Sequence, residues 1–144
     1  MEKTPENVLE VERTSIRQAI YDVIGWALTK DFDLLFNVVA QDEEFFIFHP
    51  DSASTIVGFE AFKNYAKRSW TDPAFKATRF EVKELRINIS KSSTVAWYSC
   101  FLDDFGEWDG REVGWVNARW TGVLEKRDGK WVLTQMHFSF PKDK

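Results

Sequence analysis

After Phe75 the only strong punctuation in the chain is hairpin turns. Four long runs are separated by "SKSS", "GEWDG" and "RDGK", and Asp109-Gly110 and Asp128-Gly129 are pairs that tolerate the positive φ of a two-residue hairpin. Such turns force neighbouring runs to be antiparallel, so the C-terminal half is a meander. In its first run the apolar phase slips, because Phe80 and Val82 share one face while Leu85, Ile87 and Ile89 fall on the other. A bulge near Lys83-Glu84 resets the register, and a bulged sheet bends into a cup.

The first half reads as helices. Thr4-Pro5-Glu6 supplies a hydroxyl cap, a first-turn proline and an acidic residue at the positive end of the helix dipole. Ile16, Ala19, Ile20, Val23, Ala27 and Leu28 then keep helical spacing to about Lys30. Asp31 caps a shorter helix through Phe32, Leu35, Phe36 and Val39. "EFFIFH", the turn residues Pro50-Asp51-Ser52 and "STIV" form a hairpin that Gly58 ends, and Phe59, Phe62, Ala66 and Trp70 mark one face of a third helix.

No linker or repeat divides the 144 residues, so one domain over residues 1–144 is expected. The later runs carry bulky apolar groups on both faces: in "TVAWYSCFL", Val95, Trp97 and Phe101 alternate with Ala96, Tyr98 and Leu102. Three helices cover only one face, so a second copy of the chain is expected on the other, as a two-fold homodimer. The net charge of -4, without a basic stripe, argues against nucleic acid. The lone Cys100 offers no disulfide framework and reads as a buried, inert thiol. Neither a signal peptide nor a run of ~20 apolar residues is present, so a cytoplasmic protein with no membrane partner is expected.

The order of long helix, short helix, hairpin, third helix and bent meander resembles the cone-shaped α+β barrel of the nuclear transport factor 2-like (ketosteroid isomerase-like) superfamily. "TKDFDLLFNVVAQDEEFFIF" looks like its small-residue/Gly-Asp, helix, Ala-Asp-Asp-Ala and strand stretch. "IVGFEAF" looks like its Gly-Arg-Glu-Ala helix start, and "RWTGVLEKRDGKWVLTQMHFS" like the last hairpin of its SnoaL-like branch. The resemblance runs from about Val8 to Pro141. It implies three N-terminal helices packed on a strongly bent, mostly antiparallel sheet of about six strands.

The superfamily holds isomerases, dehydratases, polyketide cyclases and assembly domains, so the fold supplies no single activity. By resemblance to ketosteroid isomerases, the general base falls on Asp42. Their first-helix phenol falls near Val23, and "VGWVNARWTGVL" offers no aspartic acid for an oxyanion, so steroid-type isomerisation is disfavoured. "RDGKW", six residues and His-x-Ser also resemble the association domain of calmodulin-dependent kinases. Its pocket arginines fall here on Ser99 and Gly122, so neither its anion pocket nor its hub role carries over.

Two candidates for acid-base chemistry remain, His137 and Asp42. Against them stand bland readings: His137 as a sheet histidine bonded to Ser139 or Arg119, Asp42 as a solvated turn residue. His49, before Pro50, reads as a rim residue. No ligand spacing for a metal exists, no phosphate-cradling glycine loop enters a helix, and no cofactor is expected. Aromatic abundance is the stronger signal: Trp26, Phe48, Trp97, Trp115 and Trp120 lie on elements that would wall a cone, with Arg119 and His137 as polar contacts and Ser99 as a further ligand-binding residue. Alternation alone leaves open which face of these strands lines the cavity. Three readings follow: a homodimer binding a small apolar or aromatic metabolite, with Trp97 and Trp26 as walls; an isomerase, lyase or hydrolase with a pocket His or Asp as base; or a ligand-free dimerisation domain.

Overall fold

The computed structural model describes residues 6–51 and 54–142. Helix α1 spans Glu6–Gly25 and buries Ile16, Ala19, Ile20 and Val23, the stripe its spacing predicts. The expected Thr4-Pro5 start lies outside the described residues. The helix ends at Gly25 and does not continue to Lys30 as its spacing predicts. At Gly25 a Cβ would come within 3.2 Å of the Phe80 ring. From there the chain tightens into a 3-10 turn, Trp26–Leu28, whose Trp26 carbonyl accepts the N–H groups of both Thr29 and Asp31. Lys30, at φ 53°, then redirects the chain.

Asp31 caps α2 (Phe32–Asn37) as expected, its Oδ1 accepting the Leu34 N–H at 3.1 Å. This helix stops short of Val39 because Val38 and Ala40 bond the sheet instead, exchanging 2.8 Å hydrogen bonds with the backbone of Leu133. Strands β1 (Phe46–Phe48) and β2 (Ile56–Val57) form the short hairpin, and α3 (Phe59–Ser69) buries Phe59, Phe62 and Ala66.

The meander consists of β3 (Phe75–Ile89), β4 (Val95–Trp108), β5 (Arg111–Arg127) and β6 (Lys130–Ser139). Sheet order is β2-β1-β6-β5-β4-β3, open at both ends, with β1 parallel to β6 and every other pair antiparallel. Asp109-Gly110 and Asp128-Gly129 all take positive φ, as two-residue hairpins require. Bulges bend the sheet at four places: twice in β3, once in β5 and once in β6. One lies at Glu84 (φ 53°), where the sequence phase slips, and it returns Leu85, Ile87 and Ile89 to the face of Phe80 and Val82. The result is the expected α+β cone.

Helices and concave sheet face enclose one core. On β4 the buried set is Ala96, Tyr98, Cys100 and Leu102; on β5 it is Ala118, Trp120 and Leu124; on β6 it includes Met136 and Phe138. Each large side chain so buried contributes about 1.5–3 kcal/mol. Glu12 fastens α1 to the sheet, accepting from Lys126 Nζ and Trp131 Nε1, both at 2.8 Å. The other phase leaves Phe48, Trp97, Phe101 and Val116 exposed on the convex face. No helix among the described residues is long and apolar enough to cross a membrane.

Candidate active site

A cavity of about 300 Å³ opens between the helices and the concave sheet face. Its walls are aromatic: Trp26 from the turn after α1, Phe62, Tyr65 and Trp70 from α3 and its end, Trp115 from β5 and Phe138 from β6. Trp70 packs against Trp26 and Tyr65 with ring centroids 5.2 Å apart in each case. Two bulges determine who faces inward. On β5, Leu102 pairs with Ala118 but Asp104 pairs with Trp115, so Val116 and Asn117 share one place and Asn117 takes φ 53°. Trp115 thereby joins the phase of Ala118 and Trp120. On β3, a slip between Ala77 and Arg79 keeps Phe75 and Ala77 on the cavity side.

Into this apolar space the sheet delivers two titratable groups. His49 follows β1 in the phase of Phe45 and Ile47, which are fully buried. Its ring stacks on Phe138, 5.6 Å away and 9° from parallel, and its Nδ1 donates to the Ser54 carbonyl at 2.7 Å. A carbonyl only accepts, so the proton of the neutral ring sits on Nδ1 and Nε2 keeps its lone pair. Burial lowers the His49 pKa, against the opposing hydrogen bond to Ser54 and the charge of Asp51. Asp104 continues the inward phase of β4 after Leu102. Among the described residues its carboxyl forms no hydrogen bond or ion pair, and burial pushes it up to about 6. Asp51 and Ser54, joined by a 2.7 Å hydrogen bond, close the rim.

A SnoaL-like domain profile matches residues 16–143. The chain belongs to the SnoaL-like family. Solved structures agree on the fold. A provisionally assigned scytalone dehydratase of Novosphingobium aromaticivorans superposes with a TM-score of 0.78 at 14% identity, over 97% of this chain and 92% of that one. A provisionally assigned dehydratase of the NTF2-like family from Streptomyces avermitilis gives 0.73 at 14% identity, over 93% and 99%. An NTF2-like protein of unknown function from Pseudomonas putida gives 0.70 at 17% identity, over 94% and 89%. No curated protein matches the sequence significantly.

Within this SnoaL-like chain the sequence candidates are dispersed. Trp26 and Trp115 wall the cavity. Trp120 is fully buried behind it, stacked on Phe138 at 5.4 Å and 14°. Phe48, Trp97, Ser99, Arg119 and His137 lie on the convex face, because odd-numbered residues of this part of β4 pair with odd-numbered residues of β5 and β6 pointing away from the helices. There His137 packs against Phe48 at 5.3 Å, and Arg119 Nη2 donates to the Phe140 carbonyl at 3.1 Å. Asp42 is outside the cavity, bonded by Arg127 Nη1 at 2.6 Å and by the Glu44 N–H at 2.9 Å. Burial raises its pKa, but these bonds and the guanidinium charge outweigh that and hold it below the ordinary value. Cys100 is buried, and desolvation pushes its thiol up to about 12. Among the described residues no group of three or more His, Cys, Asp or Glu could hold a metal ion.

His49 and Asp104 are the groups that the sequence candidates omit. A usable signal existed for each. Phe45-x-Ile47-x-His49 is a strand alternation ending on an imidazole, and Ala96, Tyr98, Cys100, Leu102, Asp104, Gly106 is an inward series interrupted by one charge.

Proposed function

We propose that the cavity binds a small apolar or aromatic molecule and carries out acid-base chemistry on it, as a lyase or isomerase, with His49 as base and Asp104 as acid. The observation that carries this reading is that a histidine kept neutral and a carboxyl kept near protonation share one aromatic cavity. Dehydration of a β-hydroxy carbonyl compound illustrates the proposed chemistry. His49 Nε2 takes the proton beside the carbonyl, the released electron pair forms the C=C bond, and the hydroxyl leaves as water with the Asp104 proton. Isomerisation needs only the same proton returned to a different carbon. The dehydratase names given to two fold relatives lend this class modest support.

The active form has His49 neutral and Asp104 protonated. Rate therefore rises with pH as His49 loses its proton, below its ordinary 6.5, and falls as Asp104 loses its own through about 6. A pH–rate profile on aromatic β-hydroxy ketones, followed by enone absorbance, is expected to be bell-shaped, with its maximum below the ordinary histidine value of 6.5. His49→Gln should lower kcat by about 10²–10⁴, whereas His137→Gln should leave it unchanged. Full activity of His49→Gln, or a rate that climbs steadily to pH 8, would remove this mechanism.

We propose further that the convex face forms a homodimer. Phe48, Trp97 and Phe101 are each more than one-third exposed there in the single chain, an apolar surface of the kind a second copy would cover.

A further inference from the structure

The same cavity has a one-sided charge. Two carboxylates, Asp51 and Asp104, are among its lining residues, and among the described residues no lysine or arginine lines it. The titratable and charged groups around Asp104 can be traced element by element. β1 presents His49, the loop after it Asp51, and α3 presents Tyr65. The turn before α2 carries Lys30, which donates to the Asp72 carbonyl at 3.0 Å and lies over the Phe75 ring. β3 carries Arg79, whose guanidinium lies 3.9 Å from the centroid of the Phe105 ring. Each nearby cation is thus laid on an aromatic wall residue, and neither reaches the Asp104 carboxyl.

We propose that this cavity selects by charge: it takes uncharged aromatic substrates, holds protonated amines of the same shape as inhibitors, and turns away carboxylates and phosphates. A carboxylate ligand would be desolvated among aromatic rings beside Asp104 and Asp51 with no cation to meet it. An ammonium group gains both the Asp104 carboxylate and the ring faces of Trp70 and Trp115. Once an amine is bound, Asp104 is ionised and has no proton to give, so the amine blocks turnover. An uncharged substrate leaves that proton in place. The identity of the substrate rests on the acid-base reading above; the order of binding does not.

The test is calorimetric titration with 1-naphthylmethylamine, 1-naphthylmethanol and 1-naphthoate. At pH 8 the expected order of affinity is amine, alcohol, carboxylate, with the amine about tenfold to a hundredfold ahead of the alcohol. Because the amine needs ionised Asp104, its affinity should fall by up to about tenfold per pH unit below 6, while that of the alcohol stays level. Asp104→Asn, verified as folded by its melting curve, should bind amine and alcohol alike. Binding of naphthoate as tight as that of the alcohol, an unchanged order in Asp104→Asn, or no binding of any of the three would overturn the proposal. The stated order without turnover of any neutral substrate would remove the acid-base reading and keep the charge filter. Turnover of a carboxylated substrate would do the reverse.

Discussion

Asp103 and Asp104 are neighbours on β4, and the sheet treats them in opposite ways. Asp103 faces the convex side, where the Asn117 N–H donates to it at 2.8 Å and Lys83 Nζ lies 3.0 Å from both its oxygens. These partners, the backbone bond foremost, hold its carboxyl below the ordinary value. Asp104 faces the cavity, finds no partner among the described residues, and is pushed up. A step of one residue along a strand exchanges a satisfied carboxylate for a strained one. Asp103 therefore spends its charge on structure, while Asp104 keeps its carboxyl unpartnered among the described residues, on the side that faces the cavity.

The comparison can be broken first at the next pair along β4. Leu102 is fully buried and Phe101 is on the open face. Leu102→Ala should cost about 2–5 kcal/mol in urea unfolding, whereas Phe101→Ala should cost under about 1 kcal/mol within one chain. Phe101→Glu should instead shift sedimentation from dimer to monomer at micromolar concentration. A chain that sediments as a monomer before the change would refute the dimer.

The aspartates themselves give the second prediction. A raised carboxyl pKa makes the folded state bind more protons than the unfolded one, so the penalty is absent below pH 3.8 and complete above about 6. Asp104→Asn should accordingly raise stability at pH 8 by at most about 3 kcal/mol and leave it unchanged near pH 3.5. Asp103→Asn should act with the opposite sign, removing stability that is present at pH 8 and lost as the pH falls through the lowered pKa. Equal effects of the two variants at pH 8 would dissolve the distinction between the faces.

The smallest effect concerns Tyr98, whose hydroxyl is buried in the inward series without a hydrogen-bond partner among the described residues. Gly122 leaves the room it occupies, since a Cβ there would stand 2.5 Å from the Tyr98 oxygen. Tyr98→Phe should be neutral or stabilising by up to about 1 kcal/mol in thermal unfolding, because it removes an unpaired polar atom from the core. A loss of more than that would reveal a partner for the hydroxyl.

These contrasts also explain what the sequence could tell. Turn pairs such as Asp128-Gly129, the Asp31 cap and the phase slip at Lys83-Glu84 are local signals, and each appears where its chemistry requires. The end of α1 was not legible, because it depends on Gly25 meeting Phe80, a contact across 55 residues of chain. Facing was the harder problem. β4 is apolar in both phases, so Trp97 looks as fit to wall a cavity as Tyr98 does, and only the pairing with β5 and the cover of the helices separates them. Trp115 depends on a bulge at Val116-Asn117, which the nearby Gly114 hints at but does not position. Asp104 and His49 stand in legible alternations, but a place in the cavity follows only from which side of each strand the helices occupy.

The bulges of β3 have a further consequence, for colloidal behaviour. β3 is 15 residues long and forms one free edge of the sheet, a template on which another unfolded strand could dock. Its two irregularities interrupt the ladder, Arg13 Nη1 already occupies the Ile87 carbonyl at 2.8 Å, and Lys76, Arg79, Glu81, Lys83, Glu84 and Arg86 place charge along its length. The features that shape the cup thus also keep its longest edge from seeding a fibril, so straightening β3 to widen the cavity would invite aggregation.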